Sequence, residues 1–192
     1  MLDFVLILQL FVLLNPITSF SVLMDAYKKK MNVKKIAINA VLLAFAIAII
    51  MVFVGPLLFT AFGVTLDSFK VAGGVVLFLL GLDTIRHTKH SEEEVNEVDG
   101  LISIIATPLL TGPATISFIT IKTYELGQMP VVLNLIATFV MIMAIFVIFS
   151  SVISKINTKI LSISSKIFGL FLTAMAIDMM AKGLSVLLLG AK

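Results

Sequence analysis

The chain has 192 residues, of which 60% are hydrophobic and only 13% are charged, against about 25% charged in an ordinary soluble domain. Its mean hydropathy is +1.17. These proportions exclude a disordered chain, a coiled coil and a nucleic-acid-binding domain, and they nearly exclude a soluble globule, so we read the net charge of +3 as a signal of orientation in a membrane.

Six apolar segments follow one another along the chain, each close to the ~20 residues with which a helix crosses a bilayer. Their predicted bounds are Leu2–Tyr27, Ile36–Phe62, Phe69–Ile85, Leu101–Tyr124, Pro130–Ile153 and Ser165–Leu189. The first segment is interrupted by Asn15-Pro16, and the fourth by Pro108 and by Thr111-Gly112-Pro113. We therefore expect an all-α, polytopic membrane protein with six transmembrane helices, of which helices 1 and 4 are broken.

Basic residues gather in the turns after the first, third and fifth segments. They are Lys28, Lys29, Lys30, Lys34, Lys35, Arg86, Lys89, Lys155 and Lys159, with Lys166 early in the sixth segment. Since Lys and Arg accumulate on the cytoplasmic side of membrane proteins, we expect a multi-pass protein of the cytoplasmic (inner) membrane with both termini extracellular. The apolar N-terminus lacks the basic start of a signal peptide, so we interpret it as the first span.

The second half of the chain repeats features of the first half at a distance of 96 to 97 residues. The aligned pairs are Pro16 with Pro113, Thr18 with Thr115, Tyr27 with Tyr124, Lys70 with Lys166 and Gly73 with Gly169. We predict repeat one at residues 1–87, a polar cytoplasmic hinge loop at 88–100 and repeat two at 101–192. Because each repeat has an odd number of spans, the two repeats have inverted topology, which is typical of secondary transporters.

The prolines at the two breaks indicate where a ligand binds. A helix that restarts after a break offers N–H groups and a positive dipole end to a carboxylate, and a helix that ends there offers carbonyl oxygens to an ammonium group, Na⁺ or H₃O⁺. We predict a site for a small zwitterion formed by Asn15, Pro16, Ile17, Thr18 and Ser19 and by Thr111, Gly112, Pro113, Ala114 and Thr115. Ordinary proline kinks, satisfied by neighbouring hydroxyls, are the alternative.

Charged residues within or beside the spans have two interpretations each. Asp178, near the middle of the sixth span, is the ion-coupling candidate, but Lys182 stands at i+4 and the two form an ion pair in the alternative interpretation. We expect no cofactor and no metal, because we interpret His87-x-x-His90 with the three glutamates Glu92–Glu94 as a solvated loop.

We expect the glycines Gly73, Gly74, Gly81 and Gly169 to allow close helix contact.

Three segments resemble signatures of the MarC family, and the similarity extends over essentially the whole chain. They are Leu14–Ser19, Thr107–Ile116 and Phe69–Gly74. The resemblance implies a six-span membrane protein. It also implies transport of small neutral amino acids, since archaeal members act on glycine and alanine, whereas bacterial relatives have a weaker association with antibiotic resistance. Ala114 stands where a glycine is common in the family, which implies a narrower site.

We therefore expect a transporter of glycine and alanine that is not an enzyme, with alternating access by rocking of one repeat against the other. Coupling to H⁺ or to Na⁺ stays open, as does the formation of an oligomer in the lipid bilayer. An exporter of drugs or small metabolites is the alternative function. Two further alternatives are an intramembrane enzyme that pairs Asp83 with Asp178, and a structural subunit.

Overall fold

The structure is a computed structural model, and it describes residues 2–86, 98–156 and 158–190. The described part is helical throughout, with short connections. In chain order the elements are α1 (Phe4–Leu14), α2 (Pro16–Lys28), α3 (Val33–Phe62), α4 (Leu66–Arg86), α5 (Val98–Ile104), a π-helix (Ile105–Leu110), α6 (Pro113–Leu126), α7 (Gln128–Val152), a 3₁₀ turn (Ile153–Lys155) and α8 (Thr158–Leu189).

Within these ranges, four helices are long and apolar enough to cross a membrane. The candidate spans are Val33–Phe59, Leu66–Arg86, Gln128–Val152 and Ile163–Leu188, and they correspond to the second, third, fifth and sixth predicted segments. The first and fourth predicted segments are each divided into shorter helices, namely α1 with α2, and α5 with the π-helix and α6. The structure thus confirms an all-helical fold suited to a polytopic membrane protein, with four candidate spans.

Two predicted boundaries differ from the structure. Pro108 does not interrupt the fourth segment, because it lies inside the π-helix Ile105–Leu110, a wider turn in which the regular hydrogen-bond ladder is already altered. Helix α8 begins at Thr158 rather than near Ser165, so Lys159 belongs to the first turn of a helix and not to the preceding connection.

Helices α4 and α8 form the most extensive helix pair in the described structure, and glycines make their approach close. A Cβ atom on Gly74 would lie 3.0 Å from the carbonyl oxygen of Ala176, and one on Gly183 would lie 2.7 Å from that of Asp67. Real side chains do not fit at such distances. The predicted role of the glycines in close helix contact is therefore confirmed for this pair, which joins the two halves of the chain.

Aromatic contacts anchor other helices to α7. Phe45 of α3 and Phe139 of α7 have ring centroids 5.2 Å apart, and Phe20 of α2 stacks on Phe149 at 3.9 Å. Large apolar side chains such as Leu57 and Val140 are exposed on the outer faces, as a lipid-facing surface requires. The leucines at the end of α1, by contrast, are fully buried, so the first break lies in the interior.

Candidate functional site

The first break consists of one residue, Asn15, between α1 and α2. Its backbone is left-handed, with φ 42° and ψ 60°, a conformation that asparagine tolerates better than most residues with a side chain. The following proline disfavours the right-handed helical region for Asn15, and Pro16 itself opens α2 at a position where no N–H is needed. The Asn-Pro sequence therefore specifies the break locally.

Two buried side-chain oxygens at this break accept no hydrogen bond from any residue that the structure describes. Asn15 is 2% exposed and Ser19 is fully buried, yet neither Asn15 Oδ1 nor Ser19 Oγ has a partner among the described residues. Leaving a buried polar group unpaired costs about 1–3 kcal/mol, and native proteins keep few such groups. Both oxygens are therefore available to accept hydrogen bonds from a ligand.

The second break takes two residues, Thr111 and Gly112, between the π-helix and α6. Gly112 has extended backbone, with φ −75° and ψ 176°, and as the N-cap residue it offers α6 no side-chain cap. The Thr111 hydroxyl donates to the Ala44 carbonyl of α3 at 3.1 Å, and the Thr115 hydroxyl donates to the Leu110 carbonyl at 3.2 Å. The two threonine hydroxyls thus stabilise the break itself.

The two breaks lie in helices that contact one another. Helix α1 contacts both the π-helix and α6, and α2 contacts the π-helix. The first N–H groups of a helix have no intrahelical partner and lie at its positive end. The arrangement therefore combines donors suited to a carboxylate, at the start of α6, with two buried acceptors suited to an ammonium group, at the first break.

The remaining predicted site residues have varied surroundings. Pro16 and Ala114 are buried and Ile17 is half-buried. The side chains of Thr18 and Pro113 lie outside the described part of the structure, so their roles stay predictions. The left-handed residue of the first break and the extended glycine of the second show that residues aligned in the sequence differ here in backbone conformation.

Asp178 and Lys182 form an ion pair on α8. Asp178 Oδ2 lies 2.7 Å from Lys182 Nζ, and their side chains are 63% and 67% exposed. This geometry matches the ion-pair interpretation, and Asp178 as an ion-coupling residue stays a prediction. Both residues lie within the candidate span Ile163–Leu188, where charged groups usually face a protein cavity or pair with one another.

Comparison with known proteins gives the family. The model of the "MarC family integral membrane protein" matches residues 2–188. The chain belongs to the MarC family. It is therefore an integral, multi-pass membrane protein.

Several relatives match this MarC-family chain over nearly its full length. A UPF0056 membrane protein of Methanocaldococcus jannaschii is 29% identical over 92% of each chain, and one of Pyrococcus abyssi is 28% identical over 94% of this chain and 92% of its own. UPF0056 membrane protein YhcE of Escherichia coli is 32% identical over 56% of this chain and 55% of its own. No solved structure matches the chain at a significant level.

Sequence reasoning missed an ion-pair cluster in this MarC-family protein. Glu125 of α6 accepts from Lys70 of α4 at 2.9 Å and from Lys122 at 2.9 Å, and Asp67 lies 3.7 Å from Lys70. Glu125 lies outside the four candidate spans. Burial raises the pKa of Glu125, but hydrogen bonds from Lys122 and Lys70 and their positive charges outweigh burial and hold that pKa below its ordinary value. The i,i+3 spacing of Lys122 and Glu125 was visible in the sequence, whereas the partner on α4 was not.

A second missed feature is a cavity of about 70 Å³ between α1, α4, α6 and α8. We call it the charged cavity; its polar lining consists of Gln9, Lys70, Lys122, Glu125, Asp178 and Lys182. The sequence offered one signal for it, since Gln9 is the single polar residue within the otherwise apolar α1.

The loop considered for metal binding, with His87, His90 and Glu92–Glu94, lies outside the described residues, as does most of the predicted hinge 88–100. In the part of the chain that the structure describes, no group of three or more His, Cys, Asp or Glu side chains is placed to hold a metal ion.

Proposed function

We propose that this MarC-family protein is a secondary transporter of small neutral amino acids, with glycine and alanine as substrates, across the cytoplasmic membrane. The observation that carries the proposal is the pair Asn15 Oδ1 and Ser19 Oγ at the first break, which have no hydrogen-bond partner among the described residues. The helices that carry this break contact those of the second break, where α6 starts. An amino acid has an ammonium group for the oxygens and a carboxylate for the helix start. Burial strengthens both interactions because water does not compete.

The second break limits the size of the substrate. Gly112 and Ala114 contribute little side-chain volume, but both are buried, and Ala114 is only 1% exposed. We therefore expect the first turn of α6 to accommodate only a substrate side chain of a hydrogen atom or a methyl group. This supports glycine and alanine over the larger molecules that an exporter of drugs would carry.

We further propose six spans arranged as two inverted repeats, with both termini outside. Helix α3 packs on α7, α4 packs on α8, and α1 contacts the π-helix and α6. Each of these pairs joins segments that are equivalent in the proposed repeats, which is the pattern expected for segments near a twofold axis between the halves. Alternating access follows from this architecture, with H⁺ or Na⁺ as the coupling ion and no catalytic step.

The glycine contacts between α4 and α8 suggest which parts move. These two helices belong to different proposed repeats, yet their backbones touch at Gly74 and Gly183. A motion that separated them would lose this packing. We therefore propose, in place of a rocking of one whole repeat against the other, that α4 and α8 stay together. The broken helices then move against them to open the site to either side.

Uptake of labelled glycine into liposomes that contain the purified protein tests the proposal. We expect accumulation that depends on an imposed H⁺ or Na⁺ gradient, and the effective gradient identifies the coupling ion. Gly112→Val should abolish uptake through side-chain volume alone, because any residue can adopt the extended backbone of Gly112. Ala72→Val, on an exposed position of α4, is the matched control and should transport normally.

Absence of both uptake and exchange for every small amino acid would contradict the proposal. Accumulation of drugs by the same liposomes would then favour the exporter alternative. Normal glycine uptake by Gly112→Val would keep the transporter but move the substrate away from the second break.

A further inference from the structure

The charged cavity is lined in part by α1 and α6, the helices that lead to the two breaks. Gln9 precedes Asn15 by six residues on α1, and Phe118, which also lines the cavity, follows Gly112 by six residues on α6. Six helical residues rise about 9 Å. The near edge of the cavity, at Gln9 and Phe118, therefore lies about 9 Å along these helices from the breaks, and the cavity extends towards the start of α1 and the end of α6.

Polar groups reach this cavity from α1 and from the membrane-spanning part of α8. Gln9 is the polar residue of α1, and Asp178 and Lys182 lie inside a candidate span of α8. Polar and charged side chains within spans are costly, and they mark pathways for substrates and ions. Two separate helices thus direct such side chains to one small space, which packing alone does not require.

The charges around the cavity balance. The cations Lys70, Lys122 and Lys182 are matched by the anions Glu125 and Asp178 together with Asp67, which lies 3.7 Å from Lys70. A ligand with a net charge would add an unmatched charge to this set. A zwitterion would not, because its ammonium group and carboxylate add no net charge.

We infer that the charged cavity is a second binding site for the zwitterionic amino acid, distinct from the breaks and occupied before or after them. The substrate inserts into the ion pair of Asp178 and Lys182, so that its ammonium group contacts the carboxylate and its carboxylate contacts the amine. The amide of Gln9 donates a hydrogen bond to the substrate carboxylate or accepts one from the substrate ammonium group. The apolar side chains of Phe118, Met175 and Met179 cover the Cα atom and a methyl group. This inference rests on the proposed function.

The first test is the stoichiometry of labelled alanine bound at equilibrium to the purified full-length protein. We expect about two molecules per chain for the wild type. Asp178→Asn and Gln9→Leu should each reduce this to about one and raise the KM for uptake about tenfold or more, since each removes a polar contact to a charged ligand. Gln9→Leu breaks no ion pair, and leucine suits the apolar helix α1, so we expect this variant to fold as the wild type does.

The matched control is Asp25→Asn. Asp25 pairs with Lys28 at 2.8 Å on an exposed part of α2, away from the cavity, and the variant should bind and transport as the wild type does. Acetate and methylammonium, which each offer one of the two charges, should compete with alanine at the second site at least about tenfold more weakly than glycine does.

The outcomes separate the two proposals. One alanine per wild-type chain, with Asp178→Asn and Gln9→Leu indistinguishable from Asp25→Asn, would overturn the second site and leave the proposed transport intact. No binding and no uptake of any small amino acid would overturn the proposed function, and the second site with it.

Discussion

Gly81 of α4 and Gly169 of α8 meet backbone to backbone. A Cβ atom on Gly81 would lie 3.0 Å from the carbonyl oxygen of Gly169, and one on Gly169 would lie 2.9 Å from that of Gly81. Carbonyl oxygens of regular helices cannot rotate away as side chains do. The contact therefore fixes the distance between a helix of the first half and a helix of the second.

Gly169→Ala should destabilise the protein. In an open helix this change stabilises by about 1 kcal/mol, but here the new methyl group would meet backbone atoms of Gly81 and Ile85 within 3.0 Å. We expect this clash to outweigh the gain in helix propensity, so that the free energy of unfolding falls by about 1–3 kcal/mol. Thermal unfolding in detergent measures it against Ala72→Val, and a Tm equal to or above that of the wild type would contradict the close contact.

Ser19→Ala should separate binding from stability. Because Ser19 Oγ has no partner among the described residues, its removal should leave the Tm of the ligand-free protein unchanged or higher and weaken glycine binding about tenfold. Ser150→Ala is the control, since the Ser150 hydroxyl donates to the Phe146 carbonyl at 2.7 Å. The control should lose about 0.5–1.5 kcal/mol of stability and bind glycine normally. A loss of stability in Ser19→Ala together with normal glycine binding would show that Ser19 does not contact the substrate.

Asn15 has a backbone role and a side-chain role, and two substitutions separate them. Asn15→Gly keeps a residue suited to φ 42° while it removes the amide, so transport should fall with little loss of stability. Asn15→Ala removes the amide and also strains the left-handed backbone, so its free energy of unfolding should be about 1–2 kcal/mol lower than that of Asn15→Gly. Comparison of Tm and glycine uptake for the two variants checks this. Full uptake by Asn15→Gly would mean that the amide contacts no substrate.

The Glu125 ion pairs should make stability depend on pH. The pKa of Glu125 is lowered from 4.5 in the folded protein, so its contribution is fully present above pH 4.5 and is lost as the pH falls through the lowered value. Glu125→Gln should therefore have a lower Tm than the wild type at pH 7, and the difference should shrink below pH 4.5. A difference that stays constant from pH 7 to the acid range would show that the pairs do not stabilise the fold.

The breaks were predictable because their causes are local. A proline removes an N–H wherever it stands, and Asn15 before Pro16 needs no tertiary partner to leave the helical region. The close packing at the glycines of α4 could also be predicted, since repeated small residues in an apolar helix indicate close helix contact. The outcome at Pro108 could not be predicted, because both a π-helix and a break accommodate a proline without an N–H group.

The unpartnered oxygens and the ion pair of Lys70 with Glu125 could not be predicted. Ser19 and Thr115 are both hydroxyl residues a few positions after a proline, yet Thr115 donates to the Leu110 carbonyl and Ser19 has no partner among the described residues. The geometry of each break decides which hydroxyl is satisfied, since Leu110 and Thr115 lie on opposite sides of the second break. Lys70 and Glu125 are brought together by the packing of α4 on α6.

The sequence by itself determined that the chain is a membrane protein with breaks beside Pro16 and Pro113, because hydropathy and proline chemistry act within one segment. The tertiary structure alone decided which polar atoms face a ligand and that Gln9, Lys122 and Asp178 line one cavity. Burial and hydrogen bonding depend on atoms that are distant along the chain, and no local pattern encodes those distances.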